Sequence, residues 1–156
     1  MTPFKLSFSR LSNPPRWILI AFLVLSFLGF LDASYLVAEH YLGIPLICTI
    51  THGCGEVLKS EFSSFFGIPI ALFGALYYAA IFFLTILFLD TRNSLFLKWA
   101  LLLPLGGFLF SLWLIFVQAF LVEAWCQYCL LSAFLSTLLF LLSLVVFLQP
   151  RGKGVQ

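Results

Sequence analysis

Four cysteines fall into two close pairs, and this spacing is the strongest chemical signal in the chain. Cys126 and Cys129 flank two residues at the start of an apolar run over residues 130–148, and Cys48 and Cys54 flank five. If the apolar run is helical, Cys126 and Cys129 share one face of its first turn. The unpaired N–H groups at a helix N-terminus favour the thiolate, which is the reactive form of cysteine. The pattern therefore indicates two dithiols able to exchange disulfides.

The composition specifies where this chemistry takes place. Hydrophobic residues make up 63% of the chain and charged residues 9%, whereas an ordinary soluble domain is about a quarter charged. The net charge of +2 argues against a nucleic-acid partner. The length of 156 residues allows about four membrane spans of ~20 residues with short connections. We therefore expect an integral membrane protein.

The hydropathy pattern predicts an all-α bundle of four transmembrane helices, with spans at about residues 17–41, 69–89, 96–121 and 126–148. Polar tails precede and follow them at residues 1–16 and 149–156. A signal peptide is the alternative for the first span, but no A-x-A-like cleavage site follows it. Residues 43–66 form an outer loop, and residues 56–66 within it mix charges with large apolar side chains. This mixture favours a short amphipathic helix on the membrane surface.

The cationic residues indicate the orientation. Only Lys59 lies on the loop side, and the terminal side carries the rest: Lys5, Arg10, Arg16, Arg92, Lys98, Arg151 and Lys153. The positive-inside rule makes the terminal side cytoplasmic. All four cysteines then face the periplasm, where disulfides persist. This predicts a multi-pass protein of a bacterial inner membrane.

Three interpretations of the cysteines compete. Structural disulfides are one, but a C-x-x-C bridge closes a small loop and constrains the unfolded chain little. A closed zinc site with four thiolates suits two close pairs but not an oxidising compartment. The third, a redox relay, is favoured and requires no metal or flavin. Electrons would pass from a soluble dithiol to Cys48 and Cys54, the loop pair, then to the C-x-x-C pair, and then to a quinone in the membrane.

Position along the last helix assigns roles within such a relay. Cys129 lies about 4.5 Å deeper than Cys126 at 1.5 Å rise per residue. Cys129 should therefore face the quinone, and Cys126 should face the loop. The local sequence does not say whether Cys48 or Cys54 meets the outside partner.

These motifs resemble the vitamin K epoxide reductase family, particularly its bacterial members that form disulfides with a quinone. The resemblance covers residues 28–140 and rests on the order of its motifs. They are Cys48-(x5)-Cys54, Glu56-Val57-Leu58-Lys59-Ser60, Phe66-Gly67-Ile68-Pro69 with Leu72-Phe73-Gly74, and Cys126-Gln127-Tyr128-Cys129 with Leu131-Ser132-Ala133. It implies a four-helix bundle that encloses the quinone near the outer surface.

The resemblance also implies a role for each cysteine. Cys48 matches the shuttle cysteine that meets the partner, and Cys54 matches the one that exchanges with Cys126. Cys129 matches the cysteine that acts on the quinone.

Other positions concern the quinone pocket. By resemblance, Ser60 helps to hold the loop and the quinone, and Phe73 and Tyr77 line the ring pocket. Ile70 and Ala133 stand where vertebrate members have a quinone-contacting asparagine and a tyrosine. A simple quinone, ubiquinone or menaquinone, is therefore a better expectation than vitamin K epoxide.

The redox partner is expected to be a separate thioredoxin-fold protein of the DsbA type. Many bacterial relatives carry a fused thioredoxin-like domain, whereas this sequence stops soon after the fourth span. The enzymatic alternatives are a DsbB-like oxidase, which places its C-x-x-C pair in the first outer loop, and a vitamin K epoxide reductase proper. The non-enzymatic alternative is a membrane protein with structural disulfides.

Two further ionisable residues have open roles. Asp32 follows fifteen uncharged residues of the first span and is expected near the outer interface, in a structural role or as a proton relay to the reduced quinone. His52 lies between the loop cysteines and is either solvated or a stabiliser of a thiolate.

Overall fold

The computed structural model describes residues 14–43, 48 and 53–148 of the chain. Four of its helices are long and apolar enough to cross a membrane, as predicted. In chain order the helices are α1 (Arg16–Leu42), α2 (Cys54–Lys59), α3 (Ile70–Thr91), α4 (Ser94–Phe116) and α5 (Gln127–Leu148). A π-helical turn, Val117–Val122, continues α4 at its outer end.

The outer segment between α1 and α3 differs from the single helix predicted over residues 56–66. Helix α2 ends at Lys59, and a 3₁₀ turn, Glu61–Ser63, follows it. Strands β1 (Ser64–Phe65) and β2 (Ile68–Pro69) then form an antiparallel hairpin. Phe66 and Gly67 both have positive φ, at 52° and 79°, as a two-residue hairpin turn requires. This turn chemistry overrides the helical pattern.

The bundle has a buried core between its helices and an apolar outer surface. Phe22, Tyr78, Ile81 and Leu139 are buried between the helices. The outward faces carry large exposed apolar side chains, among them Ile20, Leu76, Leu109 and Phe134. An apolar exterior around a buried core is what a lipid environment requires. The helices therefore present a lipid-facing surface and hold the outer segment at one end.

Candidate thiol redox site

The two cysteine pairs differ in oxidation state in this structure. Cys48 and Cys54 form a disulfide with a Cα–Cα distance of 6.5 Å, and Cys126 and Cys129 are free thiols. Cys54 is the first residue of α2, and Cys126 immediately precedes α5. Both of these cysteines are buried, with at most 1% of their surface exposed.

The backbone just before Cys54 lies against the backbone just before Cys126. A Cβ atom built on Gly53 would lie 2.9 Å from the Trp125 nitrogen and 2.9 Å from the Ala124 Cβ. Such a distance excludes any side chain at position 53 unless the backbone shifts. The loop pair and the C-x-x-C pair therefore lie side by side at the outer end of the bundle.

Cys126 caps the N-terminus of α5. Its carbonyl oxygen accepts the Leu130 N–H at 3.0 Å, and its sulfur accepts the Cys129 N–H at 3.5 Å. Hydrogen bonding from the Cys129 side chain lowers the pKa of Cys126 below its ordinary value, with smaller contributions from backbone N–H groups of Tyr128 and Cys129. Burial and the Asp32 charge oppose this lowering. The net effect favours a thiolate at Cys126.

A buried amide fixes the segment that carries Cys126. The Gln118 side chain accepts the Cys126 backbone N–H through Oε1 at 3.0 Å, and only 3% of the residue is exposed. Gln118 belongs to the π-helical turn at the end of α4, which closes at Glu123 with φ 53°. Insertions of this kind are frequent at functional sites. The turn therefore places Gln118 below the C-x-x-C motif.

A cavity of about 560 Å³ opens beside Cys129, between α1, α3, α4, α5 and the outer segment. Cys129 lines it, and Cys126 does not. The predicted pocket residues Ser60, Phe73 and Tyr77 also lie on this wall. Further lining residues are mostly apolar or small: Ala33, Leu36, Val57, Leu58, Phe62, Phe65, Ile70, Ala71, Gly74, Gly106, Gly107, Phe110, Leu114, Val117 and Ala133. An apolar cavity of this size is suited to a flat organic ligand.

Ser60 helps to order the outer segment. Its hydroxyl donates to the Val57 carbonyl oxygen at 2.6 Å, and its own carbonyl oxygen accepts the Ser63 hydroxyl at 2.8 Å. These bonds tie the end of α2 to the 3₁₀ turn that follows. Ser60 therefore holds this part of the loop through local hydrogen bonds.

Asp32 lies near the C-x-x-C pair but does not line the large cavity. It is 9% exposed, and its Oδ2 atom has no hydrogen-bond partner among the described residues. It lines a smaller cavity of about 340 Å³ together with Tyr35 and Tyr128. Asp32 interacts electrostatically with both Cys126 and Cys129. The carboxyl group is therefore more enclosed than an interfacial position predicts.

Some positions singled out in the sequence are not visible in the site, and others emerge only here. His52 lies outside the described residues. Sequence reasoning did not identify Gln118 or Tyr78; the Tyr78 hydroxyl donates to the Ser132 carbonyl oxygen at 2.6 Å. A lone amide in an otherwise apolar span was the signal available for Gln118, since polar residues within membrane helices tend to be functional.

Comparison with known proteins identifies one family. The family model described as "Vitamin K epoxide reductase family" matches residues 20–144. No curated protein matched the chain. The matched range includes both cysteine pairs, Gln118 and the large cavity.

Proposed function

The chain belongs to the vitamin K epoxide reductase family and is a membrane thiol oxidoreductase, and we propose that it forms disulfides in a thioredoxin-fold partner and passes the electrons to a quinone. In the complete reaction, a partner dithiol and a quinone become a partner disulfide and a quinol. Two electrons and two protons leave the thiols and are gained by the quinone. The partner is a separate DsbA-like protein of the periplasm.

The observation that carries this proposal is the contact between Gly53 and Trp125. Gly53 directly precedes Cys54 and Trp125 directly precedes Cys126, so this contact holds the segments of the two buried cysteines next to each other. A structural disulfide would not require a second, unbonded pair at this place. A disulfide next to a pair of free thiols is the arrangement that thiol–disulfide exchange uses.

The loop pair receives electrons first. A partner thiolate attacks Cys48 of the Cys48–Cys54 disulfide and releases Cys54 as a thiolate. The second partner thiolate then attacks the partner sulfur that is bonded to Cys48, which releases Cys48. The partner leaves as a disulfide, and both loop cysteines are reduced.

The electrons next pass to the C-x-x-C pair. When Cys126 and Cys129 form a disulfide, the Cys54 thiolate attacks Cys126 and releases Cys129. Cys48 then attacks Cys54 of the mixed disulfide, which restores Cys48–Cys54 and releases Cys126. The hydrogen bonds that favour the Cys126 thiolate make it a good leaving group in this last step. The oxidised loop pair beside two free thiols corresponds to this point of the cycle.

The large cavity has the properties of a quinone site. Cys129 opens on it, and Phe73 and Tyr77 would flank the ring. A bound quinone supplies an acceptor for two electrons and two protons. Ile70 and Ala133, also on the wall, carry no polar side-chain atoms, which favours a simple ubiquinone or menaquinone. Cys129 is the thiol from which the electrons leave.

The charges of the described residues support cytoplasmic termini in a bacterial inner membrane. Arg16 begins α1, and Arg92 and Lys98 lie at the connection of α3 with α4, at the same end of the bundle. Lys59 lies at the opposite end, in the outer segment. This asymmetry supports a periplasmic position for the cysteines.

Anaerobic mixing of the purified protein with a reduced thioredoxin-fold carrier and a soluble quinone tests the proposal. We expect quinone absorbance to fall and carrier disulfide to form in equal amounts. Replacement of any one of the four cysteines by Ala should abolish this coupled reaction. If the intact protein reduces no quinone and all four cysteines remain unreactive toward the carrier, the disulfides are structural.

A further inference from the structure

Two polar side chains lie on the cavity-facing side of α4 and its π-helical turn. Ser111 and Gln118 are seven residues apart, about two helical turns, and both line the large cavity. Leu114 lies between them on the same wall. A polar position at the cysteine end of an otherwise apolar wall is a candidate for recognition of a polar ligand atom.

Most other hydroxyl groups on the cavity wall already donate or share a hydrogen bond. The Ser60 hydroxyl donates to Val57, and the Tyr78 hydroxyl donates to the Ser132 carbonyl oxygen. Tyr77 and Ser136 bond to each other at 3.3 Å. These groups therefore have little donor capacity left for a ligand.

Gln118 is different because its hydrogen bond with Cys126 uses the amide oxygen and leaves the NH₂ group as the donor for a ligand. Only Oε1 can accept the Cys126 N–H, so this bond assigns the two ends of the amide group. Among the described residues, no group accepts a hydrogen bond from the Gln118 NH₂ group. The residue is buried and borders the cavity, so that the cavity is where an acceptor for this donor would be found.

We propose that the Gln118 NH₂ group donates a hydrogen bond to a ring carbonyl oxygen of the bound quinone, on the side next to Cys129. This inference rests on the proposed quinone function and assigns the residue that recognises the acceptor. The same amide holds the backbone of Cys126 through its oxygen. Gln118 thereby couples the position of the C-x-x-C motif to the carbonyl that is reduced. The ring carbonyl oxygen that Gln118 would recognise is common to ubiquinones and menaquinones.

The test compares menadione with 2-methylnaphthalene, which has the same ring skeleton without carbonyl oxygens. Binding is followed by tryptophan fluorescence in protein with Cys126→Ser and Cys129→Ser, so that no electron transfer or thiol addition alters the ligand. We expect this protein to prefer menadione, and Gln118→Met to lower that preference by about 10-fold, which corresponds to about 1.4 kcal/mol. Affinity for 2-methylnaphthalene should stay the same, which a general disruption of the cavity would not allow.

Ser143→Ala, which changes a buried polar residue of α5 that does not line the cavity, is the control and should keep the preference. If Gln118→Met also keeps it while menadione still binds, the assignment of Gln118 is wrong and the quinone function stands. If the parent protein binds no menadione, both the quinone function and this assignment fail.

Discussion

Gly53 and Trp125 are in backbone contact, although 72 positions separate them in the sequence. Gly53 directly precedes Cys54, and Trp125 directly precedes Cys126. A Cβ on Gly53 would lie 2.9 Å from the Trp125 nitrogen. This contact lets Cys54 and Cys126 approach each other at the outer end of the bundle. The proposed transfer of electrons between the two dithiols depends on it.

Gly53→Ala should therefore slow exchange between the pairs. The added methyl group must displace backbone atoms of Trp125 or the side chain of Ala124, and such overpacking costs about 1–3 kcal/mol. We expect a clear loss in the rate at which the reduced loop pair reduces Cys126–Cys129, measured by stopped-flow tryptophan fluorescence. Gly55→Ala is the control, because a Cβ at Gly55 meets nothing within 4 Å. Equal rates for the two variants would contradict the importance of the contact.

Gly107→Ala should destabilise the bundle, because its Cβ would overlap the Tyr77 hydroxyl and lie 2.8 Å from the Ser136 hydroxyl oxygen. The expected loss is about 1–3 kcal/mol, visible as a lower thermal unfolding midpoint in detergent. Gly106→Ala has no atom within 4 Å of its Cβ and serves as the comparison. A midpoint for Gly107→Ala equal to or above that of Gly106→Ala would argue against this close packing.

Cys129→Ala should raise the pKa of Cys126, since the Cys129 side chain is the largest cause of its lowering. A lowered pKa means that the thiolate persists to more acidic pH, and its loss moves the titration to higher pH. Thiolate absorbance near 240 nm measures this with the loop pair oxidised. Cys129→Ser keeps a hydroxyl donor and should shift the titration less than Ala does. A shift to lower pH in Cys129→Ala would overturn the assignment.

Asp32→Asn should act in the opposite direction. The Asp32 charge raises the pKa of Cys126, so its removal should move the Cys126 titration to lower pH in the same absorbance measurement. The Oδ2 atom of Asp32 has no hydrogen-bond partner among the described residues. The substitution should therefore lower the free energy of unfolding by less than the loss of a buried hydrogen bond would. An unchanged titration would show that Asp32 does not act on the thiols.

Periodicity and charge were sufficient to predict the four helices, because each span is long and apolar. They failed at the outer segment, where Phe66 and Gly67 in the left-handed region turn the chain into a hairpin instead of a longer helix. A positive φ at a phenylalanine is set by tertiary contacts and turn geometry, and local propensity does not predict it.

Spacing and resemblance were enough to propose roles for the cysteines, but they did not predict the polar partners of Cys126. The Gln118 contact spans eight residues across a π-helical turn, and the periodicity of an α-helix places Gln118 elsewhere. The enclosure of Asp32 likewise depends on how α1 packs against α5. Such relationships between elements become visible only in three dimensions.

The most direct test of the relay is to compare two variants under the same mild oxidation with diamide. Cys48→Ala with Cys129→Ala leaves Cys54 and Cys126, and Cys54→Ala with Cys129→Ala leaves Cys48 and Cys126. Mass spectrometry of non-reduced peptides follows formation of the intramolecular disulfide over time. We predict that Cys54–Cys126 forms at least about 10-fold faster than Cys48–Cys126, in keeping with the dependence of exchange rates on access. Equal rates, or faster formation of Cys48–Cys126, would contradict the proposed path of the electrons.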